Sequence, residues 1–211
     1  MEMKDLEKLD IRKSGTTTVG LICKDGVILA AEKKSTMGYL VASKESKKIY
    51  PIADHVAMTI SGVVGDALAL VRIMRAELKL FEIQNKRRIT VKGAATLLSN
   101  ILQDKRWSLP YMVQLLVAGY DEAPRMFSLD AVGGVDEEKH FFATGSGSPI
   151  ALGVLEKDYK DGMSVEEGEK LAVQSIKSAA ERDIGSGGKA IDVVIITKDG
   201  IQERTYELSK I

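Results

Sequence analysis

The residue pair with the clearest capacity for chemistry is Gly15-Thr16, which separates a short charged leader from an apolar strand pattern. Cleavage after Gly15 would leave Thr16 as the first residue, with a hydroxyl nucleophile and an α-amine that can serve as its base. While Gly15 stays attached, the nitrogen of Thr16 is an amide and cannot take a proton. The junction therefore predicts a precursor from which residues 1–15 are cleaved and whose single catalytic domain comprises residues 16–211.

The sequence gives little support for a metal site, a disulfide framework or a phosphate-binding loop. His55 and His140 are the only histidines, too few for a histidine-rich metal site. Cys23 is the only cysteine, which excludes a disulfide framework and a cysteine-based zinc site. The glycine-rich run at 184–190 fails the phosphate-loop pattern, which needs Gly in place of Asp183 and Ser or Thr in place of Ala190. We therefore expect no metal ion and no cofactor.

Composition limits the class of protein. The 211 residues are 45% hydrophobic, which suits one domain with a substantial core. Lys plus Arg and Asp plus Glu both total 30, so the zero net charge gives no reason to expect a nucleic-acid partner. The leader has no apolar segment, and no run approaches the roughly 18 apolar residues of a membrane span. We expect a cytoplasmic protein with no membrane contact.

Hydrophobic periodicity predicts the elements that must position the junction. Strand patterns come first, then two helices, further strands, two more helices and two final strands. Ser164 and Glu167 form the capping box of the last helix. The predicted helices are 66–81, 91–107, one beginning near Ser148-Pro149, and 164–182. Hairpin turns dominate over crossovers, which favours an α+β fold with antiparallel sheets and helices outside them.

The chain resembles a known family in seven motifs spread over residues 16–208. These motifs are TTTVG at 16–20, GVILAAE at 26–32, KKIY at 47–50, SGVVGDA at 61–67, ATGSGS at 143–148, RDIGSG at 182–187 and IDVVII at 191–196. They follow the order found in proteasome β-subunits, and the single-type, archaeal-type catalytic subunit is the most similar kind. The resemblance implies the N-terminal-nucleophile hydrolase fold, a four-layer αββα sandwich of two antiparallel sheets between helix layers.

The resemblance assigns roles around the nucleophile. Thr16 corresponds to the family's nucleophile, and Lys48 to the cation that lowers the pKa of its α-amine, which is about 8 in an unperturbed terminus. Glu32 would pair with Lys48, at a position where many members have Asp. The Gly62 N–H would stabilise the oxyanion, although a strand-to-helix turn that needs glycine explains this residue equally well.

A second group of residues is expected to orient the amine and the proton path. The family places Asp183 and Ser186, together with Ser146, beside the nucleophile. Without the resemblance, Asp183 reads as an ordinary residue at a helix C-terminus. Lys34 departs from the family, which commonly has Arg there, so an ion pair at this position loses the planar fork of a guanidinium.

Substrate recognition is expected from positions beside the nucleophile. By position, Ile60 and Val64 would line the pocket for the substrate side chain, with Ser35, Thr36 and Ser46 nearby. Thr36 and Gly62 would align an extended peptide as an added strand. An Ile/Val pocket predicts cleavage after hydrophobic or aromatic residues.

The resemblance implies a threonine endopeptidase inside a compartment. Its expected partners are β-subunits of the same and the opposing seven-membered ring, rings of α-subunits, an ATPase cap, and unfolded polypeptides that are cut to short peptides. Two alternatives remain: a non-catalytic ring subunit with a structural role, and an N-terminal-nucleophile hydrolase of small amides. The test of these classes is Thr16→Ala, which should abolish both leader removal and peptidase activity while leaving ring assembly intact.

Overall fold

The computed structural model describes residues 15–210, so the predicted leader lies outside the described residues except for Gly15. The strands are β1 (Thr18–Cys23), β2 (Gly26–Glu32), β3 (Ser35–Met37), β4 (Leu40–Ser43), β5 (Ile49–Ala53), β6 (Val56–Gly62), β7 (Val113–Tyr120), β8 (Pro124–Leu129), β9 (Val135–Glu138), β10 (Phe141–Thr144), β11 (Ala190–Thr197) and β12 (Gly200–Glu207). The helices are α1 (Val64–Asn85), α2 (Val91–Lys105), α3 (Ser148–Asp158) and α4 (Val165–Arg182), followed by a short 3₁₀ turn at Leu208–Lys210.

Ten of these strands form two five-stranded sheets in which every neighbouring pair is antiparallel. The first sheet has the order β10-β1-β2-β11-β12, and the second has the order β5-β6-β7-β8-β9. β3 and β4 form a separate hairpin. β1 therefore lies inside its sheet, between β10 and β2. Pairing on both sides fixes the position of this strand, which begins two residues after Thr16.

Buried side chains arrange the sheets and helices in four layers. One cluster lies between the two sheets and includes Leu29, Leu116 and Val194. A second packs α1 and α2 on the second sheet, and a third packs α3 and α4 on the first sheet. Burial of these apolar faces is the main force that holds the layers together. The predicted four-layer αββα sandwich is confirmed.

The helix that leads into the candidate site is set by local sequence at both ends. The Ser164 side chain accepts from the Glu167 N–H, while the Glu167 carboxylate accepts from the Ser164 N–H, as the predicted capping box requires. The helix ends at Arg182, and Asp183 takes up the extended conformation of its C-cap. The predicted span was therefore right, and Asp183 is held at a helix terminus.

The main differences from the sequence prediction are two additional short strands and a longer first helix. β3 and β9 were not predicted, because both are short and β9 reads Val-Asp-Glu-Glu, a charged edge strand. α1 runs from 64 to 85, beyond the predicted 66–81, and stops where Lys86 adopts a left-handed conformation with φ 51°.

Within residues 15–210, no helix has the length and apolarity needed to cross a membrane.

Candidate active site

Thr16 lies two residues before the start of β1 and is buried, with 5% of its surface exposed. Its N–H donates to Ser146 Oγ at 3.2 Å. Its hydroxyl donates to the carbonyl oxygen of Gly15 at 2.6 Å. The hydroxyl therefore lies against the peptide group that self-cleavage would have to break.

Gly15 is held closely on both sides. Its N–H donates to Thr36 Oγ1 at 2.8 Å. A Cβ on Gly15 would lie 2.0 Å from the Cα of Gly185, so only glycine fits against this loop. The residue before Thr16 is thus fixed by backbone contact, and its peptide bond is presented in one geometry.

Glu32 ends β2 with no exposed surface and collects four donors. One carboxylate oxygen accepts from Lys48 Nζ and from Thr17 N–H at 3.1 Å. The other accepts from Lys34 N–H at 2.7 Å and from Gly187 N–H at 3.0 Å. A buried charge is tolerated only when it is paired and hydrogen-bonded in this way. Glu32 therefore ties together the start of β1, the end of β2, the segment before β5 and the loop after α4.

The Glu32–Lys48 ion pair is almost completely removed from solvent, with side-chain exposures of 0% and 6%. Burial lowers the pKa of Lys48, and the charge of Glu32 opposes that shift. Burial likewise raises the pKa of Glu32, and Lys48 opposes it. A lysine whose pKa is lowered by burial can exchange a proton more easily near neutral pH than an exposed one.

A chain of hydroxyl groups surrounds the carboxylate of Asp183. Ser146 Oγ donates to Asp183 Oδ2 at 2.6 Å, and Ser186 Oγ donates to the same oxygen at 2.5 Å. Ser146 in turn accepts from Thr16 N–H, and Thr17 Oγ1 lies 2.6 Å from Ser186 Oγ. The structure thus brings the three residues expected around the amine into one hydrogen-bonded group beside Thr16.

Gly62 ends β6 just before α1 and has a φ of +108°, a conformation that side chains disfavour. A Cβ there would lie 2.2 Å from the carbonyl oxygen of Met112. Gly62, Thr16 and Lys48 line the same small cavity of about 30 Å³. The expected oxyanion donor is therefore next to the nucleophile, in a backbone geometry that needs glycine.

The residues expected to bind substrate divide between two cavities. Ser35, Ser46, Ile60 and Val64 line the small cavity with Thr16. Thr36 lies instead on a larger cavity of about 650 Å³, which is also lined by Gly15, Gly62, Asp183 and Ser146. The site therefore combines a narrow recess, walled in part by Ile60 and Val64, with a broad open cleft, and the two meet at Gly15 and Gly62.

The sequence reading missed two contributors, Thr17 and the contacts of Lys34. The Lys34 ammonium donates to the carbonyl oxygens of Ile184 at 2.6 Å and Ser186 at 3.2 Å. It therefore holds the loop after α4 through main-chain contacts, which no side-chain motif could have revealed. Among residues 15–210, no group of three or more His, Cys, Asp or Glu side chains is placed to hold a metal ion.

Comparison with known proteins shows the family to which the chain belongs. The family model described as "Proteasome subunit" matches residues 12–196. The chain belongs to the proteasome subunit family. A "Proteasome subunit beta" of Methanocaldococcus jannaschii is 55% identical over 196 residues, covering 92% of this chain and 86% of the relative. Proteins of the same name from Archaeoglobus profundus (56% identical, covering 93% and 89%) and Methanohalophilus mahii (53% identical, covering 96% and 96%) agree.

These relatives support a more specific position within the proteasome family. Each carries the β-subunit name and aligns over nearly the whole chain. The expected archaeal-type proteasome β-subunit is therefore confirmed. The roles of individual residues remain predictions that rest on the geometry described above.

Proposed function

We propose that this proteasome β-subunit is a threonine endopeptidase that activates itself by cleavage between Gly15 and Thr16. The observation that carries the proposal is the buried Glu32–Lys48 ion pair, whose Lys48 lines the same small cavity as Thr16. Burying two charges costs several kcal/mol per ion by general estimates, even though pairing offsets part of it. The pair organises the backbone in any subunit, but Lys48 also lines the cavity of Thr16, where a hydroxyl nucleophile needs a nearby group that accepts its proton.

Self-cleavage is proposed to begin with attack by Thr16 Oγ on the carbonyl carbon of Gly15. The hydroxyl proton passes to the Lys48 amine in its neutral form, which burial makes more accessible. The bond from Gly15 carbon to Thr16 nitrogen then breaks, and the nitrogen takes the proton from Lys48 to become the α-amine. Water hydrolyses the resulting ester, which releases residues 1–15 and regenerates the Thr16 hydroxyl.

The released α-amine is proposed as the base for peptide substrates. Lys48 would lower its pKa through its positive charge. Ser146 already accepts from the Thr16 nitrogen, and Asp183 accepts from Ser146, so both would orient the amine. The Gly62 N–H would donate to the oxyanion, a contribution typically worth about 10²–10³ in rate.

Substrate selection is proposed to follow from the two cavities. Ile60 and Val64 give the narrow recess apolar walls, which favours hydrophobic residues before the cut bond. Thr36 and Gly62 would hold the peptide backbone as an added strand. Fluorogenic peptides with Tyr or Leu at this position should be cut faster than peptides with Arg or Asp, and the opposite order would contradict the assignment.

The assembly is proposed from family membership. The chain would form heptameric rings with copies of itself, stacked against a second β-ring and two α-rings, with an ATPase cap that delivers unfolded polypeptides in the cytoplasm. The structural-subunit alternative is less well supported, because Gly15, Thr16, Glu32 and Lys48 are all present and in contact with the site. The small-amide alternative is less well supported, because the cleft of about 650 Å³ suits an extended chain.

The test compares the wild-type chain with Thr16→Ala and Thr16→Ser in the assembled particle. The proposal expects Thr16→Ala to assemble but to lose peptide hydrolysis and leader removal, because the proposed nucleophilic oxygen is gone. Thr16→Ser retains a hydroxyl and an amine, so it should retain both reactions at reduced rate. Peptide hydrolysis by Thr16→Ala at the wild-type rate would overturn the proposal.

A further inference from the structure

The hydroxyl of Thr17 is a buried polar group for which the proposed mechanism has no role. Thr17 has no exposed surface, and its Oγ1 lies 2.6 Å from Ser186 Oγ. Its main-chain N–H is already used, because it donates to Glu32. The hydroxyl is therefore a separate link between the start of β1 and the loop after α4.

The direction of this hydrogen bond follows from counting protons. Ser186 has one hydroxyl proton, which it donates to Asp183 Oδ2 at 2.5 Å. Because this single proton is donated to Asp183, Ser186 can only accept from its other neighbour. Thr17 is that neighbour, and its hydroxyl must be the donor.

The hydrogen bonds therefore form two chains, which start at the adjacent residues Thr16 and Thr17 and meet at the carboxylate of Asp183. Thr16 N–H donates to Ser146, and Ser146 donates to Asp183. Thr17 donates to Ser186, and Ser186 donates to the same oxygen of Asp183. Two consecutive residues of the chain are thus tied to one carboxylate, which fixes the direction in which Thr16 leaves the sheet.

We infer that Thr17 is a positioning residue of the mature enzyme, which holds the N-terminal Thr16 in place through Ser186 and Asp183. This inference rests on the proposed self-processing threonine peptidase. In the precursor, Thr16 is also held from the other side, because Gly15 is covalently attached and bonded to Thr36. Removal of the leader takes both constraints away.

This difference separates the two reactions. The Thr17 hydroxyl should matter little for leader removal, where Gly15 holds Thr16 in register. It should matter for peptide turnover, because the new terminus keeps only the constraints on its C-terminal side. A nucleophile displaced by about 1 Å can lose roughly 10²-fold in rate.

Thr18 provides a matched control one residue along the same strand. It is as fully buried as Thr17, and its hydroxyl is also bonded to side-chain hydroxyls, those of Thr59 and Thr144. Neither partner belongs to the group around Asp183. Thr18→Val therefore removes an equally buried hydroxyl while leaving that group intact.

The experiment compares Thr17→Val, Thr17→Ser, Thr18→Val, Thr16→Ala and the wild type as assembled particles. Intact mass reports leader removal, and hydrolysis of a fluorogenic peptide with an apolar residue before the cut bond gives kcat and KM. The inference expects Thr17→Val to be processed but to lose about 10-fold or more in kcat. Its KM should stay within about twofold of the wild-type value, because substrate binding is not affected. Thr17→Ser should restore kcat, and Thr18→Val should lose clearly less than Thr17→Val.

Equal losses of kcat in Thr17→Val and Thr18→Val would overturn the inference, as would a loss confined to KM or no rescue by Thr17→Ser. Retention of the leader in Thr17→Val alone would also overturn it. If Thr17→Val does not assemble, Thr17→Ala is judged by the same criteria. The proposed function fails separately, if the wild type does not cleave peptide or if Thr16→Ala does.

Discussion

At the scale of single residues, the site depends on side chains that organise the backbone around Thr16. Glu32 receives three main-chain N–H groups and one ammonium from four separate segments. Lys34 adds two contacts to carbonyl oxygens of the loop after α4. These contacts fix where Asp183 and Ser186 stand, and loss of the Lys34 ammonium contacts should affect turnover more than folding.

Lys34→Met is predicted to lower kcat by about tenfold, equivalent to about 1.4 kcal/mol. The change removes both bonds from the ammonium to Ile184 and Ser186 and so loosens the loop that carries Asp183. Lys34→Arg should stay close to the wild type, because a guanidinium also donates to carbonyl oxygens. Steady-state hydrolysis by the processed particle measures the effect.

Lys33→Met is the matched control for that prediction. Lys33 is the neighbouring lysine, but its ammonium pairs with Asp192 at 2.8 Å and not with the loop after α4. Its removal should change kcat less than removal of the Lys34 ammonium. Equal losses in the two variants would show that loop positioning by Lys34 is not the cause.

Cys23 is predicted to be unreactive in the folded protein. Burial raises the pKa of its thiol to about 12, with a smaller contribution from nearby carboxylates. Its proton is held more tightly than in the unfolded chain, so the stability from this group is present below about pH 9 and is lost as pH rises towards 12. Alkylation at pH 8 should require denaturant, and rapid labelling of the native protein would contradict this.

The residues of the site could be predicted from the sequence only where they lie within a recognisable motif. Thr16, Glu32, Lys48 and Asp183 lie within motifs that the chain shares with its family. Thr17 lies in such a motif too, but its role depends on which hydroxyl of a distant loop meets β1. That contact is set by packing of α4 on the first sheet, and no local pattern encodes it.

At the scale of elements, α4 delivers Asp183 to the site and is the element best explained by its own sequence. Its capping box fixes the first turn, and its apolar stripe packs on β1, β2 and β11. The extent of α1 was harder to predict, because polar residues continue its pattern and Lys86 ends it without a glycine or proline. β9 was not predicted, because the charged residues that suit an exposed edge strand do not give an apolar strand pattern.

Ser164→Ala is predicted to lower the free energy of unfolding by about 1 kcal/mol, because it removes the N-cap acceptor of α4. The 18-residue helix is roughly 27 Å long, so the change lies far from Asp183 and kcat should be unaffected. Ser178→Ala, in the same helix, is the control, since its hydroxyl only bonds back to Gln174. Thermal unfolding should separate the two variants, and equal stabilities would contradict the role of the cap.

At the scale of the whole molecule, the surface fits a subunit better than a solitary protein. The net charge is zero, and large apolar side chains are exposed, among them Met37, Leu40, Trp107 and Leu109. Exposed apolar surface of this kind marks interaction sites. In the proposed particle, neighbouring subunits would cover such side chains while the cleft beside Thr16 stays open.

The central claim is that the enzyme begins at Thr16, and intact mass spectrometry of the chain from assembled, active particles tests it most directly. The account predicts a mass that lacks residues 1–15, with Thr16 as the first residue. Thr16→Ala, purified in the same way, should keep its full mass and show no hydrolysis. A full-length wild-type chain in an active particle, or the same cleavage in Thr16→Ala, would contradict the account.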